Sequence, residues 1–428
     1  MKKIKSLIIT AMFLISLLIV INPVSAANWH VYPGDSIQTA ITNASGDDTI
    51  YVHAGTYSEW DIDIGKDLTI IGAGSGLTII DGTNHDTVIT VQTGVTVSIS
   101  GISIINGSSD SNSGGGIYND GTLTLTDCTV SSNTAPIYGG GIYNHGSGAL
   151  NIYSSTISGN TTTNSGSAGG GIYNSGTVSM WNSTVSGNTS DYGGGIYNNT
   201  SITLSQCTVS SNTATYYGGG IWNGANSDLK STIVADNTAP IGPDFDNALD
   251  SYGYNLIEDV KDCTITEIVN SGTDLTGVTP NLGPLRNNGG STQTHALLSG
   301  SPTIDAGDCT DKDGNPVTTD QRGVKRPQGS QCDIGAYEVE VPQVFANPIA
   351  AFMPVKNYHL RQVNAYLECI TENLPEDVPE DVQALLDEMQ EHINNANTTG
   401  NSIYANNELL KALKCAEDIQ EKLGITCL

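Results

Sequence analysis

The sequence predicts an all-β chain, a parallel β-helix solenoid, followed by a small C-terminal α-helical bundle. The solenoid rests on a repeat and an alternation. The phrase Gly-Gly-Gly-Ile-Tyr-Asn, with Trp for Tyr in the last copy, starts at Gly114, Gly139, Gly169, Gly193 and Gly218. The steps are 25, 30, 24 and 25 residues, and self-similarity at a period of roughly 20–30 residues marks stacked coils. After each phrase comes an alternating run, in which Leu123 and Leu125 line up with Val178 and Met180 and with Ile202 and Leu204, with Thr and Ser between them. That period of two is a strand with one face inward. The bundle rests on a change of period after residue 355. Leu360, Val363, Leu367, Ile370 and Leu374 recur at helical spacing, as do Val382, Leu385, Leu386, Met389 and Ile393, and then Leu409, Leu410, Leu413, Ile419 and Leu423. Such stripes are core faces of amphipathic helices, separated here by Pro375, Pro379 and the NTTGN at 397–401.

In chain order, residues 1–26 read as a signal peptide. Lys2, Lys3 and Lys5 precede the apolar run Leu7–Ile21, and Val24–Ala26 supplies the small residues of a cleavage site. The run is short for a membrane span, so contact with a membrane is expected only if this segment stays uncleaved. The expected location is secreted or cell-surface, extracytoplasmic and prokaryotic, where disulfides can form. The stretch PGDSIQTAITNA from Pro33 is a front cap. Asp35 or Ser36 can N-cap a short helix with Ile37, Ala40 and Ile41 on one face, and a solenoid needs such a cap over its apolar end.

The repeat region, within a solenoid expected over 27–281, carries three columns. Asn119, Asn144, Asn174, Asn198 and Asn223 form one asparagine ladder, and Asn133, Asn160, Asn188, Asn212 and Asn237 form another. Stacked at ~4.8 Å, their amides can bond to the next coil, and Asn tolerates the left-handed conformation of tight turns. Ile117, Ile142, Ile172, Ile196 and Ile221 are expected as an apolar stack inside. The long step of 30 comes from extra residues at HGSG and TTTNSGSA, both at turns. Cys128 and Cys207 occupy one rung position with Ser155 and Ser183 between them. Three coils apart, or ~14 Å, they exceed the ~7 Å reach of a disulfide and are expected as buried free thiols.

Composition restricts function. The chain carries 44 Asp+Glu against 16 Lys+Arg, a net charge of -28. That excludes nucleic acid as a partner, because phosphates need basic residues, and it opposes an anionic polysaccharide equally. Expected partners are cell-envelope components or glycans. The glycan-binding candidates are Tyr118, Tyr143, Tyr173, Tyr197 and Trp222, one ring per coil; the same column has a structural reading, since stacked rings stabilise neighbouring rungs. No catalytic residue is assigned. Between Lys66 and Lys230 there is no Lys or Arg, so a uronate lyase lacks its base. Asp120 and Asp127 share a coil at different corners, and His145 stands alone in an insertion as a solvated loop residue. No cofactor is expected apart from calcium: Asp308, Asp311 and Asp313, with Asn315, place hard oxygen ligands at suitable intervals, although the glycine is misplaced for an EF-hand and a plain polar turn fits better. Asn-x-Ser/Thr sequons at Asn43, Asn106, Asn160, Asn182, Asn188, Asn198, Asn199 and Asn397 are expected mostly on outward turns where glycans fit.

Three resemblances add to this. PGDSIQTAITNA, DTIYVHAGTY and DLTIIGAGSGLTIIDG resemble the start of pectate-lyase-like right-handed parallel β-helices, which implies a right-handed coil. The coils from 114 to 240 resemble the glycine-rich GGA-I and FxxN repeats of polymorphic membrane proteins. LGPLRNNGGSTQTHALLSGSPTIDAGD, from Leu282, and DQRGVKRPQGSQCDIGAYE, to Glu338, look like the choice-of-anchor Q domain of prokaryotic cell-surface proteins, a module that follows a β-helix and precedes an anchor. The resemblance implies that 282–341 caps the C-terminal end of the β-helix, and no sorting signal follows it, which leaves the mode of anchoring open. Cys309 and Cys332 flank the loop between its halves and are the best disulfide pair. A linker is expected at 342–355 and the helical bundle at 356–428, with Cys369 near Cys415 or Cys427. The implied function is a non-enzymatic structural or adhesin-like surface protein; the alternative is a polysaccharide-degrading lyase or glycoside hydrolase of the pectate-lyase-like fold.

Overall fold

A computed structural model describes residues 26–111, 113–269, 273–340, 370 and 379–398, with scattered positions between 411 and 422. The signal segment, the 342–355 linker, Cys369, Cys427 and most of the expected bundle lie outside these residues. The chain divides into two compact units, Met1–Val339 and Glu340–Leu428.

The first unit is an all-parallel β-solenoid whose coils repeat three main faces. The first carries Ile117–Asn119, Ile142–Asn144, Ile172–Asn174, Ile196–Asn198 and Ile221–Asn223. The second carries the alternating strands Thr122–Thr126, Ala149–Tyr153, Thr177–Trp181, Ser201–Ser205 and Asn226–Lys230. The third carries Thr129–Ser131, Thr156–Ser158, Thr184–Ser186, Thr208–Ser210 and Ile233–Ala235. The first two belong to one 18-stranded sheet and the third to a ten-stranded sheet. The register is that of the repeat: Ile117 pairs with Ile142, Ile142 with Ile172, Ile172 with Ile196, and Ile196 with Ile221. Leu150 pairs with Leu123 and Val178. The isoleucine column is fully buried, and each such side chain contributes roughly 1.5–3 kcal/mol. Both insertions sit at turns, between Asn144 and Ala149 and after Thr162.

The front cap is helix α1, Ile37–Asn43. Ser36 is the N-cap, its hydroxyl accepting from the Thr39 N–H, and Ile37, Ala40 and Ile41 are buried. Glu59 completes that end by accepting from the backbone N–H groups of Ile37 and Gln38 at 2.8 and 2.9 Å. The corner before each first-face strand is glycine because nothing else fits. Gly139 sits at φ 61°, and a Cβ there would collide with the Ile142 carbonyl.

Both asparagine ladders form. Along the first, each Nδ2 donates to the Oδ1 one coil on, from Asn119 through Asn144, Asn174 and Asn198 to Asn223, at 2.7–2.8 Å. Along the second, Asn133, Asn160, Asn188 and Asn212 donate in the same way at 2.9–3.0 Å, and Asn237 donates to Asp244 Oδ1 at 2.9 Å. The left-handed turn conformation is not at these asparagines. In the second ladder it falls one residue earlier, at Ser132, Gly159, Gly187, Ser211 and Asp236. The asparagine is thereby left free to aim its amide into the coil.

A third column follows the same plan. Ser155, Ser183 and Thr232 hydroxyls, with the Cys128 and Cys207 thiols, donate to the carbonyl two residues back. The residue before each one is again left-handed. Cys128 and Cys207 are free and buried, and burial pushes both thiols up to about 12, so neither is a nucleophile at ordinary pH.

The 282–339 segment runs back along the ten-stranded sheet as a strap. Ser75 donates to the Ser291 carbonyl at 2.5 Å, Thr156 to the Gln293 carbonyl at 2.6 Å and Thr184 to Gln321 Oε1 at 2.6 Å; the Ala336 N–H reaches Thr208 at 3.1 Å and the Gly335 N–H reaches the Ser231 carbonyl at 2.8 Å. A second apolar core lies beneath it, where Leu297 and Ile334 meet Ile233, Ala235 and Leu256. The reason is visible on the third face. Its middle residue points into the lumen, and the outer positions change from Thr and Ser to Ile233 and Ala235. Outward apolar groups need a cover. Cys309 and Cys332 form the expected disulfide.

In the second unit the one complete helix among the described residues is α2, Glu380–Thr398, which buries Val382, Met389 and Ile393. Cys415 is a buried free thiol; the expected neighbourhood of Cys369 with Cys415 or Cys427 falls on Cys369 and Cys427, which lie outside the described residues. Among the described residues no helix is long and apolar enough to cross a membrane.

Candidate functional site

The first-face strands carry their middle side chain outward, and in five successive coils that side chain is aromatic. Tyr118, Tyr143, Tyr173, Tyr197 and Trp222 follow at centroid separations of 5.3, 5.3, 4.9 and 4.1 Å. The planes start tilted by 48° and 37° and end nearly parallel, at 9° and 5°. Where the rings are parallel their faces cover one another, so this half of the column is first a brace. Burial, then the neighbouring phenols, push Tyr173 up to about 12, and it stays neutral.

A second row faces the first across the glycine corner. Tyr138, Ala168, Tyr192, Tyr217 and Ile241 pair in succession, one per coil. Tyr138 leans to 4.6 Å from Tyr173, and Tyr192 stacks with Tyr217 at 5.7 Å. The sequence marks this row by the tyrosine before three of the five triple glycines, Tyr138, Tyr192 and Tyr217. Between the rows runs a groove of about 570 Å³, lined on the first-row side by Tyr173, Tyr197 and Trp222 and ending at Asp246 and Asn247. Ala168 leaves a notch in the second row, which the inserted loop borders through Gly166. Asp246 is 7% exposed, and burial, then the nearby Asp262, raise its pKa.

At the Tyr118 end His145 has company. Its Nδ1 lies 2.8 Å from Asp120 Oδ1, and its ring is 6.0 Å from Tyr118. Hydrogen bonds from Ser147 and Thr93, and then His145, hold the Asp120 carboxyl down to about 2. A carboxylate that orients an imidazole is an acid–base pair in form. Asp127 is elsewhere, accepting from Ser291 at 2.6 Å. A second histidine pair lies under the strap, where His295 Nε2 meets Ser186 at 2.8 Å and Nδ1 meets the Gly283 carbonyl at 2.7 Å. That order matches a base next to a hydroxyl, but both side chains are buried, and the pair acts as a latch.

The 308–315 loop folds as a polar turn whose carboxylates have protein partners. Asp308 pairs with Lys230 at 2.9 Å and Asp313 with Lys312 at 2.9 Å. Asp311 accepts from the Asp313 and Asn315 N–H groups, each at 2.9 Å. Among the described residues, Glu388, His392 and Cys415 bring metal-ligating atoms within 4.8 Å of one another. The sequons divide. Asn160, Asn188 and Asn198 are fully buried ladder members and present no acceptor, contrary to the outward placement expected of most. Asn43 and Asn199 are exposed, while Asn106 and Asn182 are half-buried. The Asn397 side chain lies outside the described set.

No protein-family model matches the chain, and no curated protein matches it. Among solved structures, a rice weevil pectin methyl esterase is similar at 13% identity and a TM-score of 0.24, with 67% of this chain and 86% of that chain covered.

Proposed function

We propose that the chain is an exported, non-catalytic surface protein, a stiff β-helix that displays an aromatic groove to neutral glycans or envelope partners. The observation that carries this reading is the pair of ring rows along one corner of the solenoid. Half-buried rings with a polar edge suit ligands that are apolar on one face and hydroxylated on the other. The charge of -28 favours neutral over acidic glycans. The choice-of-anchor resemblance of the 282–338 segment supports display at the cell surface. A panel of immobilised neutral polysaccharides tests the reading: the mature chain is retained, and Tyr143→Ala with Tyr173→Ala lowers retention at least about tenfold. Retention unchanged by both substitutions overturns it.

The Asp120–His145 pair supports the rival reading, a polysaccharide-degrading enzyme acting beside Tyr118. It predicts sugar release or an unsaturated product from the same panel, abolished by Asp120→Asn. The surface-rod reading predicts neither.

A further inference from the structure

We propose that the Trp222 end of the groove is a binding site for a substituted ammonium group, held by ring faces and the Asp246 carboxylate. This goes beyond the glycan reading and does not need it.

The ring column stops abruptly. Tyr197 covers one face of Trp222 at 4.1 Å, and on the next coil the residue in register with Trp222 is Asp246, not a ring. Tyr217, from the second row, lines the same end and is 37% exposed. Gly224 lies so close to the benzo edge of Trp222 that any side chain there would collide. The site therefore has an indole, a phenol and a carboxylate around one opening.

The carboxylate decides the ligand class. Asp246 is withdrawn from water; its side-chain contact is long, 3.5 Å from Asn247 Nδ2, and the Asn247 backbone N–H is its other donor. The Asn247 side-chain amide is itself directed at the Asn223 carbonyl at 2.9 Å. The neighbouring charge is another acid, Asp262. Cationic side chains of the protein sit over rings elsewhere: Lys230 over Tyr254, Lys312 over Tyr252 and Arg322 over Tyr337. A desolvated anion walled by aromatic rings favours a cation whose own hydration is weak. Alkylated ammonium fits best, because ring faces attract it without competing for strong hydrogen bonds. The net charge draws such a ligand in and repels carboxylates and sulfates.

The ammonium can belong to a small quaternary amine or to an amino sugar of a polymer. Calorimetric titration of the mature chain with choline, its uncharged isostere 3,3-dimethylbutanol, and glucosamine oligomers in free and N-acetylated form separates these sources. The expected result is saturable binding of choline or of the free-amine oligomer, at least about tenfold weaker for its uncharged counterpart. Asp246→Asn weakens it by a similar factor, as does Tyr217→Leu, with circular dichroism confirming the fold. Equal affinity for charged and uncharged members, insensitivity to Asp246→Asn, or no binding overturns the proposal. The glycan reading survives the first two outcomes.

Discussion

Asn188 shows how much one side chain carries in this architecture. Its Oδ1 accepts from the backbone and side-chain nitrogens of Asn160 at 2.9 and 3.0 Å, and its Nδ2 donates to the Ile157 carbonyl and Asn212 Oδ1 at 3.0 and 2.9 Å. Asn188→Leu keeps the volume but strands two donors and a carbonyl in a dry interior. At roughly 1–3 kcal/mol for each buried unpaired group, the midpoint of denaturant unfolding should fall by an amount equivalent to about 4 kcal/mol. Where the ladder ends, Asp244 takes the place of an asparagine. Burial raises its pKa from 3.8 to about 6, so the folded state holds this proton more tightly than the unfolded state does. The contribution is fully present below pH ~4 and is lost as pH rises through about 6, on the order of 3 kcal/mol in all. Burial lowers the pKa of His295, which acts in the opposite sense: its contribution is present above the unfolded value and lost on acidification. The measurement is therefore the difference between wild type and Asp244→Asn across pH 4–7, which isolates the Asp244 slope. The ladders were legible because a repeat places identical residues at one register. The left-handed positions were not: from spacing alone, the turn residue and the amide that closes it are one residue apart and equally polar.

The strap is the element expected over the end of the solenoid, and it lies along the third face. Its second motif, residues 320–338, is one charge network. Arg322 pairs with Asp320 at 2.8 Å and Arg326 with Glu338 at 3.2 Å, all four side chains at most 3% exposed. Arg326 also donates to the Asp333 carbonyl at 2.7 Å, and Arg322 lies 3.6 Å over the Tyr337 ring. Removing one partner of a buried pair leaves the other charge unpaired, so Arg326→Met should lower stability by about 3–5 kcal/mol. Adding Glu338→Leu should restore part of that loss, read by the same unfolding titration. The terminal cap was what the choice-of-anchor resemblance implied, since that module follows a β-helix. The contrary signal lay in the coils: a third face that is Thr-Val-Ser in one coil and Ile-Val-Ala in another has lost its hydrophilic outside. The aromatic groove was half legible. The first row follows the Gly-Gly-Gly-Ile motif without exception, while the second is interrupted at Ala168 and joins the first only when the corner folds.

At the scale of the molecule, a solenoid is stabilised chiefly between adjacent coils, and this one adds a connection that ignores adjacency. The strap touches the early coil at Ser75 and the late one at Ser231, with the Cys309–Cys332 bond fixing its far portion. Distant coils are thus held in one structure by a segment that crosses them, which extends cooperativity beyond nearest neighbours. The strap ties coils along the third face, while the ring rows run along the glycine corner before the first face. The regular ring column also gives the molecule an optical signature. Aromatic chromophores fixed a few ångströms apart and nearly parallel, as Tyr173, Tyr197 and Trp222 are, couple their electronic transitions. The near-ultraviolet ellipticity of this chain therefore reports on the spacing of its coils, and its decay on heating would time the separation of one turn from the next.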